Sequence, residues 1–228
     1  MKRIFSTLIN KLSFEITRLY SLYFCLRYLP FRQAKLIPIL ISPKVKITDM
    51  ALGRIKIMGN ARPYQITIGL ETGSCGYPKM GHGSVTVKPM GNIIFMGGGI
   101  ISEGTGLRVD KGTLKIGDEF YCNNNCFIRI TQDTNIGSDV ILGWNVVLNT
   151  SDGHKVLKSK VPKTDEGTII IGNHVWVAAD VTICKGSVIP DGCIVSQKSL
   201  VNKAFTNNNT LLGGIPAKEI SPDYNWER

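Results

Sequence analysis

The sequence predicts a mainly β solenoid, a stack of short parallel strands, and three observations carry that prediction. From Ile171 onward an aliphatic residue recurs at every sixth position: Ile171, Val177, Ile183, Ile189, Val195 and Val201. The fifth position of each unit is Val175, Val181, Ser187, Cys193, Ser199 and Phe205, small or medium in all but the last. The chain is also rich in glycine, with 24 of 228 residues, and low in aromatics at 8%, which suits many tight turns better than a bulky layered core.

Residues 1–45 are expected to form an amphipathic helical segment. Phe5, Leu8, Ile9, Leu12, Ile16, Leu19, Tyr20, Tyr23 and Leu26 follow helical spacing up to a stop near Pro30. Lys11, Glu15, Arg18 and Arg27 interrupt every window long enough to span a bilayer. No clean apolar core with a small-residue cleavage site marks a signal peptide. Residues 1–35 carry Lys2, Arg3, Lys11, Arg18, Arg27, Arg32 and Lys35 against Glu15 alone, within a chain of net charge +10. Two readings stand: packing on the chain's own domain or a neighbouring subunit, and contact with a membrane surface.

Residues 46–205 are expected to form the solenoid. Upstream units begin at Ile116, Cys122, Ile130, Ile136 and Leu142, with a shift of two residues near Ile128. Residues 85–115 keep the glycine-rich strand texture but lose the strict period. Six is a multiple of two, so the repeat suits strands and fits helices poorly. Each unit gives one strand and one turn, with the first-position aliphatic pointing inward. Stacked coils bury a continuous aliphatic column, stable only when several repeats join. A β-sandwich would recur every 8–12 residues with varied turns, which a fixed six opposes. The polar stretch 155–168 breaks the rhythm as a loop, and residues 206–228 form a C-terminal tail.

Other classes are disfavoured by composition. The basic balance points to anionic partners, but no zinc-finger spacing or RNA-binding aromatic motif is present, so nucleic acid is not expected. Cys25, Cys75, Cys122, Cys126, Cys184 and Cys193 form no Cys-x-x-Cys pair and read as small buried thiols in a reducing cytoplasm.

The phrases GTLKIGDEFYCNNNCFI, IGSDVILGWNVVLNTSDGH, IIIGNHVWVAADVTICKGSVIPDGCIVSQKSLV and LLGGIPAKEI occur in order between Gly112 and Ile220. In them the chain resembles the hexapeptide-repeat acyltransferases, especially sugar O-acetyltransferases of the galactoside and maltose type. The resemblance implies a left-handed parallel β-helix, a homotrimer, acetyl-CoA as co-substrate and a carbohydrate acceptor. It further implies that His154, in Asn149-Thr150-Ser151-Asp152-Gly153-His154, takes the proton of the acceptor hydroxyl. A hydroxyl is a weak nucleophile unless its proton leaves as the bond forms, and imidazole suits that task near neutral pH. Asp152 is expected to orient that ring or bind substrate, or simply to close the turn.

Tyr121 and Asn123 match a Tyr-x-Asn pattern near the acceptor, where an amide can hold a hydroxyl or donate to a developing oxyanion. Trp176, Ala178 and Ala179 match the edge along which the family lays the pantetheine arm, and Trp144 flanks the same groove. Lys203 and Lys218 are candidates for the CoA phosphates. Asn202 stands where many relatives have Thr. His82 and His174 receive no role. The spacing of the three histidines does not match the zinc set of a related β-helix fold, so no metal is expected.

The expected activity is transfer of acetyl from acetyl-CoA to a sugar hydroxyl of a surface polysaccharide or its precursor. The expected setting is the cytoplasm, peripheral at the inner membrane if the N-terminal helix touches lipid. The alternatives are N-acetylation of a nucleotide-linked amino sugar and a non-catalytic β-helix scaffold. The first is disfavoured because no glycine-rich strand–turn–helix phrase occurs in the first hundred residues, the second by the Asp-Gly-His phrase at the break.

Overall fold

The computed structural model describes residues 2–70, 80–155, 157–158 and 161–228, and Cys75 and parts of the loop 155–168 lie outside them. The side chains of residues 2–8, Phe5 and Leu8 among them, also lie outside the described set. The chain winds into a parallel β-helix with three faces. The first face stacks Ile39–Ile41, Ile66–Leu70, Gly99–Ser102, Phe120–Cys122, Ile141–Leu142, Trp176–Val177, Ile194–Val195 and Leu211–Gly214, each paired in parallel with the next. The second face holds Lys46–Thr48, Phe127–Ile130, Val147–Asn149, Thr182–Cys184 and Leu200–Val201. The third holds Ile55–Ile57, Thr134–Ile136, Ile169–Ile171 and Val188–Ile189.

Two long strands, Ser84–Phe95 and Gly106–Ile116, serve the second face with their first halves and the third with their second halves. There the chain rounds a corner without leaving the hydrogen-bond ladder, which is why the six-residue period fades over 85–115. Gly112 takes that bend at φ 76, where an added Cβ would stand 2.9 Å from the Gln132 carbonyl carbon.

The inward column is the one the repeat predicts. Ile171, Val177, Ile183, Ile189, Val195 and Val201 are completely buried, as are the fifth-position residues Val175, Val181, Ser187 and Cys193. Each buried Ile or Val contributes roughly 1.5–3 kcal/mol relative to exposure. At the corner between the first and second faces, Asn125, Asn145, Asp180 and Lys198 all take left-handed φ near +60°, one per coil. Asn and Asp tolerate that region best among side-chain-bearing residues. The Asn145 amide donates to Asp180 Oδ1 at 2.8 Å, tying two of these corners together.

A solenoid must protect its end coils. Here α1 (Lys2–Tyr28) closes one end by docking on the edge strand Ile39–Ile41. Buried Ser21 accepts from the Ile41 N–H at 2.9 Å and donates to the Thr17 carbonyl at 2.7 Å. Phe24, Cys25 and Leu29 are buried beside it. Burial pushes the Cys25 thiol up to about 11, consistent with an inert structural cysteine. On the other side of α1, Ile9, Leu12, Ile16, Leu19, Tyr23 and Leu26 are exposed. No helix among the described residues is long and apolar enough to cross a membrane.

The far end carries an antiparallel pair, Leu211–Gly214 with Ala217–Ser221. The last residues then fold back on the corner between the third and first faces. The Trp226 ring stacks on His174 at 4.4 Å, and Arg228 Nε donates to Asp139 at 2.7 Å.

Candidate active site

His154 stands where the loop leaves the solenoid, at the corner between the second and third faces. The neck of that loop is tightly clamped. Thr150 is buried, its N–H donates to the Arg129 carbonyl at 3.2 Å, and its carbonyl accepts from Gly167 at 3.0 Å. Ser151 bridges Glu166 in antiparallel fashion, and the Asp152 N–H donates to the Asp165 carbonyl at 2.8 Å. Gly153 then turns at φ 81, with its N–H donating to Ser151 Oγ at 3.0 Å. The result presents the His154 ring outward, exposed, from a rigid base. Among the described residues it makes no hydrogen bond.

The Asp152 carboxylate does not orient that ring in this structure. It pairs instead with Lys185 Nζ at 2.5 Å, and the same ammonium donates to the Thr164 carbonyl. Lys185 thus staples both arms of the loop to the coil beyond. Sequence reasoning passed over Lys185, although it sits in the corner of the Ile183 unit, next in the stack after the break.

The corner between the first and second faces gathers a second group. Asn123, Gly143 and Ala178 occupy the same place on three consecutive coils. Asn123 N–H donates to the Leu142 carbonyl at 2.9 Å, Gly143 to Val177 at 2.7 Å and Ala178 to Val195 at 2.9 Å. The side-chain amide of Asn123 also donates to the Leu142 carbonyl at 3.2 Å, which uses one of its two N–H bonds. Trp144, Ala178 and Ala179 are half-buried along this edge. An added Cβ at Gly143 would meet Ala179 N at 2.7 Å and Ala178 C at 2.8 Å. Consecutive coils are therefore in backbone contact here, leaving a smooth edge of small residues.

Tyr121 and Trp176 lie on the outer side of the first face, in one column with Ile141. Tyr121 borders an open groove of about 570 Å³ with Arg62, Gln65 and Arg228, and that groove reaches neither His154 nor Ala178. Lys203 is exposed and places Nζ 5.0 Å over the Phe205 ring, on the His154 corner rather than the Ala178 edge. Lys218 is exposed on Ala217–Ser221, beside the first face. One protomer thus brings Asn123, Ala178 and Ala179 together and His154, Asp152 and Lys203 together, on two different corners. The second face separates them by roughly 13 Å of strand, at about 3.3 Å per residue.

His174 pairs with a carboxylate, its Nδ1 2.5 Å from Asp139. The Asp139 hydrogen bond holds His174 above its usual range. Stacking with Trp226 and the Arg228 bond to Asp139 make this pair an anchor for the C-terminal residues. No cluster of three or more His, Cys, Asp or Glu able to hold a metal occurs among the described residues.

Comparison with known proteins bears on this arrangement. No family model matches the chain. It is 28% identical over 140 residues to the putative lipopolysaccharide biosynthesis O-acetyl transferase WbbJ of Escherichia coli K12, covering 55% of this chain and 70% of that protein. It is 33% identical over 110 residues to galactoside O-acetyltransferase of the same organism, covering 47% of this chain and 53% of the relative. Both relatives are O-acetyltransferases, and the chain is similar to them over about half its length. Among solved structures, the chain aligns with the polySia specific acetyltransferase NeuO at a TM-score of 0.46 and 20% identity, over 84% of this chain and 79% of that one.

Proposed function

We propose that this chain is a hexapeptide-repeat acetyltransferase that transfers the acetyl group of acetyl-CoA to a sugar hydroxyl of a surface polysaccharide or its precursor, with His154 as general base. The observation that carries the reading is the exposed imidazole held on a clamped turn at the interruption of the coil. Acetyl-CoA would supply the activated carbonyl. The His154 ring removes the hydroxyl proton while the sugar oxygen bonds to that carbonyl. The carbon–sulfur bond breaks, and the imidazolium returns the proton to the departing thiolate. The second amide N–H of Asn123 is free to donate to the oxygen that gains charge. The edge of Gly143, Ala178 and Ala179 fits the pantetheine arm, because small side chains let its amides approach the backbone. Lys203 and Lys218 are the cations proposed for its phosphates.

His154 and Asn123 stand on separate corners, which supports a site closed between protomers of a homotrimer. In this reading one protomer's His154 corner faces its neighbour's Ala178 edge. Tyr121 and Asp152 take secondary roles, Tyr121 toward the acceptor and Asp152 in fixing the turn through Lys185. The basic segment 1–35 and the exposed apolar side of α1 support peripheral contact with an anionic membrane surface on the cytoplasmic side, where a lipid-linked glycan would be met. The test is incubation with acetyl-CoA and a glycan panel, following thiol release and hydroxylamine-labile ester on the sugar. Ester formation that depends on His154 supports the reading. Full turnover by His154→Ala, or no thiol release with any hydroxyl acceptor, overturns it.

A further inference from the structure

The outer side of the second face carries a column of like charge beside the His154 turn. Arg108 and Arg129 are direct register partners on neighbouring parallel strands. Such strands lie about 4.8 Å apart, so two guanidinium groups stacked in register repel each other. Lys88 is a third cation of the cluster. All three converge on Asp110: Arg108 Nε at 2.9 Å, Lys88 Nζ at 3.4 Å and Arg129 Nε at 3.7 Å. Asp49 is the other carboxylate that acts on Arg108. Three cations therefore meet one carboxylate, Asp110, within 4 Å.

The shares are unequal. Arg108 binds both oxygens of Asp110, at 2.9 and 3.0 Å. Arg129 makes no side-chain hydrogen bond among the described residues, only the longer ionic approach to Asp110. Its side chain is 29% exposed, so it is neither buried nor free in solvent. The position of a Cβ on Gly153 would be 3.9 Å from Arg129 Nη1, with no other atom nearer than 4 Å. The unspent guanidinium edge thus adjoins the turn that carries His154. Planar paired donors in this state match a carboxylate or phosphate group.

We propose that Arg129, backed by Arg108, is a specificity-determining subsite for an anionic substituent of the acceptor, so the substrate is an acidic glycan. The inference rests on the acetyl-transfer reading for its choice of a glycan as ligand. Carboxylate and phosphate share the chemistry, and the test separates them. Three oligosaccharides serve as probes: a uronic-acid tetrasaccharide, the same tetrasaccharide after carboxyl reduction, and a neutral tetrasaccharide bearing one phosphate. Each is titrated calorimetrically into wild type, Arg129→Ala, Arg129→Lys and His154→Ala, with CoA titrated in parallel.

The expected result is at least tenfold tighter binding of one anionic probe than of the reduced one, the tighter probe naming the group. That preference is lost in Arg129→Ala, falls in Arg129→Lys despite the retained charge, and persists in His154→Ala. CoA affinity is unchanged in both Arg129 variants. Equal binding of all three probes, a preference surviving in Arg129→Ala, or an Arg129→Ala loss confined to CoA would each overturn the proposal. Failure of the acetyl-transfer reading registers elsewhere, as absence of thiol release, and leaves this binding result standing.

Discussion

Gly143→Ala is a direct probe of the edge proposed for the pantetheine arm. Ordinary contact begins near 3.4 Å, while the added methyl would stand 2.7 Å from Ala179 N and 2.8 Å from Ala178 C. Both are backbone atoms, so no rotamer change relieves the clash, and the two coils must part by about 0.7 Å at this corner. Overpacking of this kind costs about 1–3 kcal/mol. For a chain of this size that lowers Tm by roughly 2–4 °C per kcal/mol. The same displacement spoils the backbone edge, so CoA affinity falls together with stability. Ile183→Val is the matched control, since it removes one buried methyl for roughly 0.5–1.5 kcal/mol without touching the edge. Thermal unfolding and CoA calorimetry on both variants give the answer. Wild-type CoA affinity in Gly143→Ala, or an equal affinity loss in Ile183→Val, refutes the placement of CoA on this edge.

Other perturbations follow from the same geometry. Ile183→Ala opens the buried column and is expected to cost about 2–5 kcal/mol in denaturant unfolding. Lys185→Met removes the staple between Asp152 and Thr164, so limited proteolysis within residues 155–165 accelerates and acetyl transfer slows while CoA affinity holds. Docking of the C-terminal residues depends on pH in a defined sense. His174 is raised by Asp139, so its contribution is complete below the unfolded value of 6.5 and is lost as pH climbs through the raised folded value. Burial pushes Asp139 up, but bonds from His174 and Arg228 outweigh it and leave it lowered, so its contribution holds above 3.8 and is lost as pH falls through the lowered value. Protection of residues 224–228 from hydrogen exchange, relative to the free peptide at each pH, should therefore fall as pH climbs through the raised His174 value in wild type and lose that step in Asp139→Asn.

The repeat made the core legible because inward positions in a solenoid obey a strict linear rule. Every first-position residue from Ile171 to Val201 is buried as spacing alone predicts. The rule failed over 85–115 because Ser84–Phe95 and Gly106–Ile116 continue through a corner, a three-dimensional choice with no fixed period. The position of His154 at the break was also readable, since an interruption must project outward. Its surroundings were not. Lys185 reaches Asp152 from 33 residues away, and Arg129 reaches the Gly153 turn from the preceding coil. Such neighbours are set by stacking between coils, which sequence order does not display. Adjacency left Asp152 open between orienting His154, binding substrate and closing the turn, and its carboxylate meets a cation one coil further on.

Mixed assemblies give the most direct test of a reaction site shared between protomers. His154→Ala and Asn123→Ala chains, each inactive alone, are co-expressed with different tags and isolated as mixed trimers. If one protomer's imidazole works against its neighbour's amide edge, each isolated mixed trimer holds one intact site of three, roughly a third of wild-type sites. Acetyl transfer at about that level is the predicted result. Mixed trimers as inactive as the separate variants would contradict the account.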